Sequence, residues 1–236
     1  MQVILTRPEG ENEALAERLK DHEVLTLPLI QLLELPQSEV MKKTVTDLDL
    51  FDEIIFVSKS AVRHAMPLLE IYWPQWPLKL NWLAVGEGSA AALESFGVRA
   101  SFPGQAGSEG LLALPELIEV NGHRILISRG RGGRELLASE LARRGARVEY
   151  LETYERIELE QPGLTGIQDG AVLVVTSAEI MESAITQLAG REKVMQVVVP
   201  SERIESLALD RGFCNVVNAR GASEQSLYDA VMSCIR

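Results

Sequence analysis

Residues 122–157, GHRILISRGRGGRELLASELARRGARVEYLETYERI, repeat the pattern of the N-terminal stretch of this 236-residue chain. At an offset of 122, Thr6 falls on Ser128, Arg7 on Arg129, Glu13 on Glu135, Leu15 on Leu137, Ala16 on Ala138 and Leu19 on Leu141. An internal repeat of this kind constrains the fold before any single residue is considered. In the later copy, Ile125–Ile127 is a short apolar run, and Leu137, Ala138, Leu141 and Ala142 then recur at the spacing of one helical face. The pattern reads as strand, polar turn, amphipathic helix and strand, ending at Tyr154.

The turn contains Gly130, Gly132 and Gly133, where the backbone bends without Cβ strain and can leave N–H groups pointing outward. Such a turn at a helix N-terminus favours an anion. Eight arginines against five glutamates give the segment a local charge of +3, in a chain whose formal net charge is -11. A second reading stays open, in which the glycines only make a tight turn and the arginines form a solvated face.

The first copy reads as a strand at Val3–Thr6, a helix at Asn12–Lys20 and a strand at Val24–Leu27. The segment Leu32–Leu50, with Pro36 and mixed charge, reads as a linker. Strands follow at Ile54–Val57 and Leu83–Val85, with helices at Ala61–Leu69 and Ala90–Ser95. The aromatic and proline cluster from Tyr72 to Trp82 reads as a connecting loop packed on a sheet edge. From Ala171 the same order returns: strand at Ala171–Val175, helix at Ile180–Leu188, strand at Val197–Val199, helix at Ile204–Leu209, and a last helix opened by Ser223 and Glu224. Gly97 and Gly212 share an offset of 115 with Ser108 and Ser223, so the longer units repeat too.

Strands alternating with helices predict parallel sheets covered by helices. The expected fold class is α/β, with two similar domains, each a parallel sheet flanked by helices, joined by two extended linkers. Periodicity alone does not say which short unit joins which long one. The Pro36 region and Gln161-Pro162-Gly163 are the plausible crossings.

The acidic balance argues against general binding to nucleic acid or to an anionic membrane, although a local basic cleft escapes that rule because charges are screened beyond about 8 Å. Cys214 and Cys234 form no CxxC pair and read as buried or incidental thiols of a reducing compartment. No basic leader with an apolar run and no stretch of membrane-spanning length is present, so a cytoplasmic protein is expected.

Ligands of parallel α/β sheets bind at the carboxyl ends of strands. Arg7, Ser58, Ser60, Gly86, Ser89, Arg129, Gly130, Thr176, Ser177 and Ser201 are placed on such edges by this reading. Each serine or threonine also has a plain role as an N-cap, worth about 1 kcal/mol to its helix. Gly86-Glu87-Gly88-Ser89-Ala90-Ala91 matches the dinucleotide pattern GxGxxA between a strand and a helix, but no acidic residue ends the following strand. His22, His64 and His123 are scattered without ligand spacing, so no metal is expected.

In order along the chain, ILTRPEGENEALAERL, LPLI, IIFVSKSAV, LAVGEGSAAAL, FPGQAGSEGLLAL, LISRGRGGREL, VEYLETY and LVVTSAE resemble the uroporphyrinogen-III synthase family. The resemblance covers almost the whole chain, with its specificity in the order and spacing of short motifs. It implies that residues 1–33 complete a domain with 159–236, and that 37–155 form the other. It implies cyclisation of the linear tetrapyrrole hydroxymethylbilane, with loss of water and inversion of ring D through a spiro intermediate, by a monomer without a cofactor. It also implies Tyr154 as the catalytic acid and, among the edge residues above, Ser58, Ser89 and Ser177 as substrate ligands. The chain departs from the family where Val57-Ser58 replaces Thr-Ser, and where Pro200-Ser201-Glu202-Arg203 replaces Gly-x-Thr-Thr. The competing readings are a non-catalytic two-lobed binding or sensor module for a polycarboxylate, and a nucleotide-dependent enzyme built on Gly86–Ala91.

Overall fold

The structure is a computed structural model that describes residues 1–105, 107–133 and 135–235. It divides into two compact units, residues 1–32 with 157–236, and residues 33–156. Each is an α/β layer structure around one five-stranded sheet.

In the first unit, β1 (Gln2–Leu5), β2 (Glu23–Thr26), β8 (Val172–Val174), β9 (Gln196–Val199) and β10 (Asn215–Asn218) pair in the order β10-β9-β8-β1-β2, all in parallel. Three helices connect neighbouring strands, α1 (Glu13–Arg18), α7 (Ala178–Gln187) and α8 (Glu202–Asp210), and α9 (Glu224–Ile235) follows β10. Strand residues alternate between two apolar layers. Ile4, Leu173, Val197 and Val199 enter one, while Val3, Leu5, Val172, Val174 and Val198 enter the other. Burial on both faces explains why these strands read as unbroken apolar runs instead of alternating.

In the second unit, β3 (Ile30–Glu34), β4 (Glu53–Phe56), β5 (Asn81–Ala84), β6 (Arg124–Gly130) and β7 (Arg147–Glu158) pair in the order β3-β7-β6-β4-β5. Its helices are α2 (Glu39–Thr46), α3 (Lys59–Tyr72), α4 (Glu87–Glu94), α5 (Ser108–Leu112) and α6 (Leu136–Arg143). Ile55, Leu83, Ile125 and Ile127 pack one face of the sheet against Leu111, Leu137 and Leu141.

Both repeats have equivalent places in the two sheets. The neighbours β7-β6-β4-β5 of the second correspond to β2-β1-β8-β9 of the first, with β6 matching β1 at the offset of 122 and β7 matching β2 two residues further on. At the offset of 115, β5 and α4 match β9 and α8. The parallel bridge between Leu83 and Ser101 stands where β10 pairs with β9. The first short unit therefore completes the sheet of the last long unit.

The linker expected at Leu32–Leu50 is corrected. It holds the end of β3 and the whole of α2, whose N-cap Ser38 accepts a hydrogen bond from Met41 N at 3.1 Å. Met41, Thr44 and Val45 bury one stripe of that helix, which the mixed charge of its other face hides in the sequence. The crossings are extended strands: β3 and β7 each run from one unit into the other. Leu29 O accepts from Leu159 N and Thr153 O from Leu35 N. Strand β7 thus continues four residues beyond its expected end at Tyr154.

The aromatic cluster packs where α3 leads into β5. Trp73 Nε1 donates to Val45 O, Trp76 Nε1 to Phe96 O, and Trp76 meets Trp82 edge-on at 5.2 Å. Cys214 is exposed and Cys234 half-buried, both as free thiols. Among the described residues, no helix is long and apolar enough to cross a membrane.

Leu19 and Leu141 are fully buried at equivalent repeat positions. Leu19→Ala and Leu141→Ala are each expected to cost about 2–5 kcal/mol, read as a lowered midpoint in chemical denaturation.

Candidate functional site

The C-terminal edge of the second sheet carries the most developed group of polar side chains. The register between β6 and β7 shifts after Arg129, which faces Glu152, so that Gly130 faces Tyr154 and Thr153 is left over as a bulge. A bulge bends its strand and re-aims the next side chain. Here it turns the Tyr154 ring onto Gly130, where an added Cβ would stand 2.6 Å from Cε2 and 2.8 Å from Cζ. Glycine at 130 is required by this approach. Arg131 N donates to Tyr154 O at 2.7 Å and holds the strand on the far side of the bulge.

The phenol is fully buried. Its hydroxyl lies 3.3 Å from Ser58 Oγ, and Arg156 donates to it from Nη2 at 3.4 Å. The His64 ring stacks on the phenol ring, with centroids 4.7 Å apart. Ser58 is the N-cap of α3, accepting from Ala61 N at 3.0 Å, and His64 follows on the same helix. Burial holds the His64 imidazole below the usual histidine range, so it packs against the ring as a neutral group.

Tyr150, one turn of the pleat earlier on β7, is held differently. Its hydroxyl donates to Glu135, and the Arg129 guanidinium lies 3.8 Å over its ring. Burial and then the bond to Glu135 push the Tyr150 hydroxyl up to about 12. A proton so committed is a poor one to donate near neutral pH.

Most of the local positive charge is neutralised inside the unit. Arg129 pairs with Glu135 at 2.9 Å and Glu152 at 3.2 Å, Arg131 with Glu155, Arg124 with Glu149, and Arg143 and Arg144 with Glu140. Gly132 N donates to Glu152 Oε1 at 3.3 Å, so the glycine turn does hold an anion, the chain's own carboxylate. Arg134 lies outside the described residues.

The equivalent edge of the first unit carries Arg7, Thr176, Ser177 and Ser201. Arg7 makes a two-pronged pair with Glu224, at 2.9 and 3.3 Å, and its side chain is as enclosed as that of Arg129, each about 10% exposed. Ser177 caps α7 by accepting from Ile180 N. Ser201 stands at the N-cap of α8 without making a side-chain cap, beside a depression of about 770 Å³ lined by Arg203, Glu205, Asn218 and Arg220.

Two expected edge residues sit elsewhere. Ser60 is inside the first turn of α3, and Ser89 is buried within α4, because that helix starts at Glu87 and not after a four-residue turn. Gly86 is extended, at a φ of 176° that any residue adopts, and Gly88 faces the flexible end of Lys59, so neither supplies the glycine-dependent turn of a dinucleotide site. His64 and Arg156 were missed as neighbours of Tyr154. Their approach depends on the bulge and on the seating of α3, neither of which has a periodic signal.

Comparison with known proteins agrees with the ordered motifs. A family model described as uroporphyrinogen-III synthase HemD matches residues 12–229. The uroporphyrinogen-III synthase of Salmonella typhimurium is 33% identical over 98% of this chain and 100% of its own length. That of Escherichia coli is 31% identical over the same shares. In fold, the chain is similar to a mutant uroporphyrinogen III synthase of Thermus thermophilus, with a TM-score of 0.67 at 20% identity over 100% of this chain and 98% of that one. It is similar also to uroporphyrinogen-III synthetase of Helicobacter pylori, with a TM-score of 0.65 at 16% identity over 100% of both chains. With residues 12–229 matched and its motifs in order, the chain belongs to the uroporphyrinogen-III synthase family.

Proposed function

We propose that this chain closes hydroxymethylbilane to uroporphyrinogen III, and that Tyr154 supplies the proton that lets the terminal hydroxyl leave as water. Membership of the family over the full length carries the reaction. The phenol set against Ser58 and Arg156 carries the assignment of the acid. Loss of water leaves a conjugated cation, and attack at the substituted carbon of ring D gives the spiro intermediate that reopens with the ring reversed. These steps leave the oxidation state unchanged, so the reading calls for no cofactor.

Because the phenol is buried and Ser58 is half-exposed, the proton passes from Tyr154 through the Ser58 hydroxyl to the leaving group. Arg156 faces the oxygen that gives it up. The substrate carboxylates are assigned to N–H groups and hydroxyls, at Gly86 on the sheet edge and Ser60 in the first turn of α3 in one unit, and at Thr176, Ser177 and Ser201 on the edge of the other. Arg7 and Arg129, already paired with glutamates, act by shaping those edges, and Gly130 and Ser89 act through packing. Residues 1–33 with 159–236 and residues 37–155 are taken as the two domains, which the division into compact units supports. The reading is of a monomeric, cytoplasmic enzyme.

Orientation contributes most, since the linear substrate closes unaided to the unflipped isomer. Positioning supplies roughly 7–11 kcal/mol, and a general acid adds about 10²–10⁴-fold.

Incubation with hydroxymethylbilane followed by separation of the isomers should give the III isomer; recovery of the I isomer alone would reject the assignment. Tyr154→Phe keeps the ring on Gly130 and His64 but removes the proton, and should slow turnover about tenfold or more at an unchanged melting temperature. Ser58→Ala should slow it as well, and a wild-type rate in either variant removes that residue from the proton path. For His64, the folded imidazole is held below its unfolded value, so its contribution to stability is full above about pH 6.5 and is lost as pH falls. Urea denaturation at about pH 7.5 and about pH 5.5 should show a larger loss for wild type than for His64→Phe.

A further inference from the structure

Asp52, Glu53 and His123 meet at the N-terminal edge of the second sheet, the edge opposite to the one that carries Tyr154. Asp52 directly precedes β4 and Glu53 opens it, and His123 directly precedes β6, its neighbour in the sheet. The backbone fixes this meeting: Asp52 N donates to Arg124 O at 2.9 Å, and Arg124 N donates to Asp52 Oδ2 at 2.8 Å. His123 Nδ1 lies 3.0 Å from Glu53 Oε1 and 3.2 Å from Oε2. One donor atom from each of the three residues lies within 4.8 Å of the others. Asp52 is exposed and His123 half-exposed, but Glu53 is 1% exposed and aims its carboxylate into the cluster.

We propose that these three side chains form a binding site for a divalent transition-metal cation of the zinc type. One imidazole nitrogen with two carboxylates is a donor set suited to such ions. Two donors each about 2.0–2.2 Å from a tetrahedral ion stand about 3.3–3.5 Å apart. The spacing of His123 Nδ1 from the Glu53 oxygens is within a few tenths of an ångström of that. The ion takes the place of the Nδ1 proton, which goes to solvent. Asp52 supplies its Oδ1 from the open side while Oδ2 keeps the Arg124 N–H, and water completes the coordination. The expectation of no metal rested on histidine spacing along the chain. These ligands are some 70 positions apart and come together only through the pairing of β4 with β6.

The probe is zinc alone, titrated calorimetrically into the full chain carrying Cys214→Ser, so that the exposed thiol is not counted. One ion per chain should bind with micromolar affinity, with a raised melting temperature. His123→Ala should abolish binding, and Asp52→Asn should weaken it about tenfold or more while leaving isomer III formation unchanged. Absence of saturable binding, or affinity in Asp52→Asn equal to that of the parent, would overturn the site and leave Glu53 and His123 as an ordinary ion pair. Should His123→Ala fail to fold, Asp52→Asn decides alone, since it leaves the Glu53–His123 contact intact.

Discussion

Parallel pairing of strands that are buried on both faces is the constraint from which the rest of the molecule follows. Val3, Ile4 and Leu5, or Ile54, Ile55 and Phe56, have no solvent side, so each strand has to be covered twice. Parallel neighbours cannot be joined by a hairpin, and the chain therefore returns through a helix each time. The result is that the parallel strands of each sheet end at one edge, where β1, β4, β5, β6, β8 and β9 each lead through a turn into the start of a helix, while β3 runs antiparallel to its neighbour β7. Polar groups that would be costly inside the layers are concentrated there: Thr6 and Arg7 after β1, Ser58 after β4, Arg129 at the end of β6, Thr176 and Ser177 after β8.

An edge of this kind offers hydroxyls and N–H groups but no acid. The tyrosine proposed as the acid is brought there by a local departure from regular pairing. A regular β6–β7 ladder would set Thr153 opposite Gly130, and the tyrosine one residue later would point to the other side of the sheet. The bulge at Thr153 instead brings Tyr154 against the bare backbone of Gly130, within reach of Ser58 on the next strand's turn. The cost is visible beside it: Thr153 Oγ1 is buried without a hydrogen-bond partner among the described residues. Loss of one such bond costs about 1–3 kcal/mol.

The layers, the repeats and most strands were legible in the sequence because apolar periodicity reports burial, and burial is what the layers consist of. Leu15, Leu19, Leu137 and Leu141 could be assigned to helix faces for that reason. Helix α2 could not, because Lys42, Lys43 and Glu39 dominate its composition while only Met41, Thr44 and Val45 face inward. Within the site, Ser58 and Ser177 were legible as caps and Tyr154 through the family motif. His64 and Arg156 were not, since a contact between a helix and a bulged strand leaves no spacing to read. The paired state of Arg129 was equally hidden: its partners Glu135 and Glu152 come from the turn and from the next strand.

The repeat also separates the two copies at the place proposed for the chemistry. The two buried arginines at equivalent positions, Arg7 and Arg129, are both neutralised, one by Glu224 from the last helix and the other by Glu135 and Glu152. That much of the ancestral edge is common to both units. At the same offset, however, Gly130 corresponds to Pro8, and residues 27–34, which follow β2, include no tyrosine. Proline carries ring atoms at the place that Gly130 leaves bare for the phenol. The first copy therefore keeps a scaffold and hydroxyls, and the second couples a missing side chain to a buried tyrosine, the acid of the proposed reaction. A bare position and the group that fills it are of use only together, so the pair has to be gained or lost as a unit.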